Sequence, residues 1–199
     1  MSTTLDIWNM ALGFLGTRTV ASQTERTPEA IQCALFWDNA RKQALRDYPW
    51  AFAQSRTLLA QKPLPDVWQG IWRFAYALPD GCLKAHKVTP LQCREGRPFE
   101  IVRAADGTAL VLTDTQQAAL FYTQDVQDSG RFDELFALVL ARKLAALVAV
   151  PLLKNNSQKV QELEQLYRAA LPPAHNASAS ERKDKPQKDD WLAVRGDWA

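Results

Sequence analysis

The longest apolar-periodic run lies late in the chain, over residues 129–153, SGRFDELFALVLARKLAALVAVPLL. Phe132, Leu135, Phe136, Val139, Leu140, Lys143, Leu144 and Leu147 recur at helical spacing and leave one face almost wholly apolar. Asp128 or Ser129 can cap its start, and Asp133 and Glu134 suit the positive end of the helix dipole. Pro151, lacking an amide proton, is expected to close it. Arg142 and Lys143 interrupt the middle, so the uncharged run is too short to span a bilayer. The pattern predicts a core helix that other elements must cover.

Three more amphipathic helices are predicted. Residues 4–15 place Leu5, Trp8, Leu12 and Leu15 on one stripe, and Gly16 stops it. Thr27 caps a second helix with Pro28 at its first position. It runs to about Asp47, with Ala34, Trp37, Ala44, Leu45 and Tyr48 on one side and Arg41, Lys42 and Arg46 towards its end. Pro49 stops it, and Trp50 and Phe52 follow as a bulky pair suited to plugging a core. The fourth helix starts at Asn156 or Ser157, carries Val160, Leu163, Leu166, Tyr167 and Ala170, and is expected to end at Pro172-Pro173.

Between the second and third helices the period changes. Residues 54–60 can extend as a strand, and Pro63 and Pro65 mark a loop. Residues 71–78 alternate, placing Trp72, Phe74 and Tyr76 on one face. Residues 82–88 follow a Pro79-Asp80-Gly81 turn, 99–103 and 109–113 flank a hairpin turn at Asp106-Gly107, and 120–123 make a last short strand. The expected fold is α+β: a mainly helical four-helix bundle (1–60 and 128–171) carrying a small β-rich insertion (61–127) and a disordered, partner-binding tail (172–199).

Composition narrows the function. At 199 residues with 47% hydrophobic content the chain can bury one good core, or one core plus a small satellite. Lysine and arginine number 24 against 22 acidic residues, a net charge of +2, which argues against a dedicated nucleic-acid gripper. Cys33, Cys82 and Cys93 are an odd number without paired spacing, and no signal peptide opens the chain, so reduced, intracellular synthesis is expected. The sequons at Asn155 and Asn176 then read as chance matches.

No catalytic motif emerges. His86 and His175 occur without an HExxH or CxxC pattern, so no metal or other cofactor is expected. The cysteines read as small hydrophobes, and GxSxG, GxGxxG and phosphate-loop patterns do not occur. Asp189-Asp190 and Glu162/Glu164 read as solvated carboxylates, and Arg182-Lys183-Asp184-Lys185 as a solubilising run. Trp191, Leu192 and Trp198 differ, because apolar anchors in a polar tail suit docking on a partner.

The order of short motifs carries more. Asn9-Met10-Ala11-Leu12-Gly13-Phe14-Leu15-Gly16, then Tyr48-Pro49-Trp50-Ala51-Phe52-Ala53, then Tyr76-Ala77-Leu78-Pro79-Asp80-Gly81-Cys82-Leu83 are followed by Phe99-Glu100, Tyr122-Thr123, residues 132–145 and Tyr167-Arg168-Ala169-Ala170-Leu171. This succession resembles the tubular tail protein A family, the head-to-tail adaptors (connectors) of short-tailed bacteriophages, over about residues 4–171. The resemblance implies a structural virion protein, not an enzyme, assembled in the host cytoplasm. It implies a homo-oligomeric ring, typically of twelve copies, bound beneath the portal protein. Such a ring extends the DNA channel, lets DNA pass without sequence-specific binding, and offers a surface to the tail nozzle or fibres. No membrane partner is implied. The 172–199 tail lies outside the match; its docking on the portal through Trp191, Leu192 and Trp198 is an expectation from the residues. The rival is a small DNA-binding or regulatory helical module, which would need a basic helix face such as Arg41, Lys42 and Arg46. Cell-wall cleavage is a third reading, without an acid/nucleophile pair to carry it.

Overall fold

Each helix begins where a short polar side chain can take up its free amide groups. A computed structural model describes residues 2–153 and 156–180. In α1 (Thr4–Leu15) Thr3 accepts from the Asp6 amide while the Asp6 carboxylate accepts from the Thr3 amide, a reciprocal capping box. Gly16, at φ 73°, closes the helix in the left-handed conformation that a side chain would resist. α2 (Pro28–Asp47) starts as expected at Thr27, whose hydroxyl accepts from the Ala30 amide.

The strands follow: β1 (Gln54–Leu58), β2 (Gln61–Lys62), β3 (Phe74–Ala77), β4 (Cys82–Pro90), β5 (Phe99–Arg103), β6 (Ala109–Thr113) and β7 (Ala118–Gln124). α3 (Glu134–Leu152) and α4 (Ser157–Ser180) complete the described elements. Both sheets are antiparallel, one in the order β1-β7-β4 and the other β2-β3-β6-β5. They share a core of Leu59, Tyr76, Val88, Val111, Ala118, Leu120 and Tyr122. The far side of the four-stranded sheet buries Ala75, Leu110 and Leu112 under Leu64, Trp68 and Trp72.

These findings correct the expectation of a four-helix bundle with a small β-rich insertion. Helix accounts for 47% and strand for 23%, and the β portion has its own core between two sheets. The central strands β6 and β7 are buried on both faces, so the β portion carries an interior that a small insertion would lack. The protein is a mixed α+β fold of four helices and two antiparallel sheets among the described residues.

α3 is the hub of the helical layer, packing against α1, α2 and α4. It starts at Glu134, after a short 3-10 turn, rather than near Ser129, yet Phe132 is still buried just ahead of it. It is apolar and long enough to cross a membrane, but its two central charges find rings inside the protein. The Arg142 guanidinium lies 5.7 Å from the Phe14 ring centroid, and the Lys143 ammonium 4.6 Å from that of Tyr167. Pro151 sits within the last turn and the helix ends one residue beyond it.

Three predicted faces shift. On α2 the buried positions are Ala30, Cys33, Ala40, Arg41, Ala44 and Leu45, and Ala34 is exposed. Small residues face the hub helix, which lets the two backbones approach. On α4 Leu166 is largely exposed, and the stripe runs Leu163, Tyr167, Ala170, Ala174 and Ser178. Trp72 precedes β3 and packs with the outer cluster, apart from Phe74 and Tyr76.

The largest departure is at Pro172-Pro173, where the helix does not stop; α4 continues to Ser180. The carbonyls these prolines leave without an amide belong to Arg168 and Ala169, both exposed, so water can satisfy them. Docking rewards the continuation. Ala174 is buried, the Ser178 hydroxyl accepts from the Ala51 amide at 2.8 Å, and the His175 ring stacks on Tyr48 at 4.0 Å. A chain ending after Ser180 should keep this packing. One ending after Leu171 should lose stability in urea denaturation, by about 1 kcal/mol from the Ser178 hydrogen bond alone.

His175 also makes stability depend on pH. Burial against Tyr48 and Trp50 lowers its pKa below the ordinary 6.5, with the Asp47 carboxylate opposing the shift. The unfolded chain therefore binds the proton more tightly, and stability should decline as pH falls through about 6.5 towards the folded value. The same denaturation series on His175→Gln should lack that component.

Candidate interaction surfaces

The predicted docking residues Trp191, Leu192 and Trp198 lie outside the described residues, as do Asp189-Asp190 and the 182–185 charge run. The segment that leads to them is a helix docked on the aromatic cluster of Tyr48 and Trp50, so His175 and the Asn176 sequon belong to α4 rather than to a loose tail.

Among the described residues, no group of three or more histidine, cysteine or acidic side chains is placed to hold a metal ion. His86 is on β4, with its Nε2 2.8 Å from the Thr123 hydroxyl, and His175 is on α4. Glu162 pairs with Lys159 and Glu164 with Arg168 on the α4 surface. Burial first, then the hydrogen bond that the Tyr167 hydroxyl donates to the Asp47 carboxylate, pushes the phenol well above its usual range. That bond ties α4 to the end of α2. Cys33 is buried, and burial first, then the Glu29 charge, pushes its thiol up to about 12. Thiol-specific labelling of the native protein should therefore spare Cys33 and reach it only on unfolding.

Arg41, Lys42 and Arg46, the cluster a DNA-binding module would need, do not share one open face. Arg41 is 2% exposed and bonded to Asp125 and Asp38, with a further bond to the Val126 carbonyl at 3.1 Å. Lys42 and Arg46 alone stay exposed. The buried guanidinium instead joins α2 to the segment where the chain leaves β7 for the helical layer.

Two exposed apolar patches stand on different elements. Ile31 and Leu35, one turn apart on α2, are 53% and 67% exposed. Val67 and Ile71 are 78% and 63% exposed on the loop between β2 and β3. In that loop Trp68 and Trp72 turn inward over the four-stranded sheet, and their neighbours are thereby forced outward. Of two open grooves, one is lined by Pro90, Arg97, Pro98, Thr113 and Asp114, and the other by Leu147, Val160 and the Glu164–Arg168 ion pair.

A third surface went unseen in the sequence. On the outer face of the β1-β7-β4 sheet, register places Arg56, Phe121 and Lys87 in one rung and Gln54, Thr123 and Lys84 in another. Charge counting misses it because the cations come from strands well apart in the chain, and the apolar run of β7 carries no alternation that would mark the face. No family model matches the chain, and no curated protein matches it in sequence.

Proposed function

We propose that the protein is a head-to-tail adaptor of a short-tailed bacteriophage, a non-enzymatic ring subunit that binds the portal, extends the DNA channel and receives the tail nozzle. The ordered set of motifs over about residues 4–171 carries this reading. Those motifs fall at the joints of the fold. Asn9 to Gly16 form the end of α1 and its cap, and Tyr48 to Ala53 form the aromatic plug between helical layer and β1. Tyr76 to Leu83 cover the β3–β4 connection.

The surfaces support the same reading. A ring of identical copies needs different patches on each side of the subunit, because its contacts are heterologous. Ile31 and Leu35 offer one on the helical layer, for a neighbouring copy or the portal. Val67 and Ile71 offer another on the β portion, for the nozzle. Trp191, Leu192 and Trp198 remain the proposed portal anchors of the C-terminal segment. With Arg41 buried, Lys42 and Arg46 are left of the cluster on which the regulatory alternative would rely, which favours the adaptor reading.

Surface variants test the assignment. Ile31→Asp with Leu35→Asp should abolish assembly on the portal while the monomer stays folded. Val67→Asp with Ile71→Asp should leave portal binding intact and lose the nozzle. Wild-type assembly by both variants would contradict it. Truncation after Ser180 isolates the contribution of the three anchors, since it spares the docked end of α4.

A further inference from the structure

We infer that the outer face of the β1-β7-β4 sheet is a contact surface for the phosphate backbone of duplex DNA. This deepens the adaptor reading, on which it rests, by naming the face that would meet DNA passing through the ring. The side chains are assigned to that face by their neighbours. Ala85, Val88, Leu120 and Tyr122 alternate with them and point into the core between the sheets. Arg56, Lys84 and Lys87 therefore stand on the opposite side, with β7 between the two outer strands and about 10 Å across it.

The cations are held rather than loose. The Arg56 guanidinium lies 5.1 Å from the Phe121 centroid and donates to the Leu91 carbonyl at 2.9 Å. The Lys84 ammonium donates to the Arg46 carbonyl at 3.3 Å, which brings the basic end of α2 to the same edge. The Lys87 stem runs alongside Gly96, where an added Cβ would meet it at 3.2 Å. None of the register-paired positions on the face is acidic. In the adjoining segments Asp125 is taken by Arg41 and Glu95 by Arg97, while Asp80, in the turn before β4, and Asp47, next to Arg46 and bonded to the Tyr167 hydroxyl, are opposing charges.

The chemistry favours duplex over single strand. Unstacked bases need open aromatic platforms; on this face Phe121 is covered by Arg56 and the His86 ring lies against the Thr123 hydroxyl. What remains open is arginine and lysine, which contact phosphate without reading sequence, since the Thr89 and Thr123 hydroxyls are buried. With few cations per subunit, each copy grips weakly, which suits a wall along which DNA moves.

The test is fluorescence anisotropy of the full chain with a short labelled duplex across a salt series. Engagement of one phosphate by each of Arg56, Lys84 and Lys87 predicts about a 40-fold loss of affinity between roughly 50 and 200 mM salt. Lys84→Gln with Lys87→Gln should bind more weakly and show only about a 3- to 4-fold loss over the same range. Lys62→Gln with Arg103→Gln, on the other sheet, should behave as wild type. Arg56→Gln provides an independent variant, and coincident thermal unfolding checks that each is folded. Absence of salt-dependent binding by the wild type, or an unchanged salt slope in the Lys84/Lys87 variant, would overturn the inference. So would better competition by single-stranded than by duplex DNA, or an acidic protein surface as the occupant. Portal binding is scored separately: DNA failure with portal binding intact removes this inference alone, and portal failure with DNA binding intact removes the adaptor reading.

Discussion

Replacing Arg41 by alanine should destabilise the protein by about 3–5 kcal/mol, because it strands a buried carboxylate. Asp125 is 10% exposed, and Arg41, at 2%, is the counter-charge that lets it be there. The same guanidinium donates to the Val126 carbonyl at 3.1 Å and to Asp38 at 3.1 Å. It therefore fixes the point where the chain passes from β7 back to the helices. Arg41→Met combined with Asp125→Leu should recover much of the loss, since apolar replacement of both partners removes the desolvation cost together with the attraction. Urea denaturation of the two single variants and the double variant reads this directly. A loss below about 1 kcal/mol in the singles would show that solvent screens the pair.

Trp50→Ala should cost about 3–5 kcal/mol by leaving a cavity at the meeting point of α2, α3 and α4. Trp50 is fully buried, and its ring edges onto Phe136 at 5.0 Å, His175 at 5.3 Å and Tyr48 at 5.5 Å. Its indole donates to the Ala44 carbonyl at 2.8 Å, one of the last-turn acceptors of α2 that the helix itself cannot satisfy. Trp50→Phe keeps most of the packing and should lose about 1 kcal/mol with the hydrogen bond. Thermal unfolding should rank wild type above Trp50→Phe above Trp50→Ala. Equal melting of the two variants would place the energy in the hydrogen bond rather than the packing.

What the sequence made legible was local. Thr27-Pro28 and Gly16 announce helix ends through backbone chemistry within a few residues, and α1 and α2 start and stop there. The β5–β6 hairpin was readable because its turn lies between its strands; Gly107 takes the positive φ that the turn needs. The pairing of Gln54 with Thr123 was not readable, since nothing near either residue specifies a partner so distant in the chain. The β portion was therefore underestimated. Pro172-Pro173 failed as a stop for the converse reason: burial of Ala174 and Ser178 and stacking of His175 outweigh a local breaker whose orphaned carbonyls face water. Of the candidate surfaces, the ordered motifs were visible as sequence. The exposure of Ile31 and Leu35, the outward turn of Val67 and Ile71, and the rung of Arg56, Phe121 and Lys87 follow from packing and register alone.

The most direct measurement of the adaptor assignment is the mass of the complex formed when the purified protein meets its cognate portal ring. A monomeric input that yields one discrete product, with one copy per portal subunit, is the predicted result. A protein that ignores the portal yet binds duplex DNA would contradict the adaptor assignment and favour the DNA-binding module in its place.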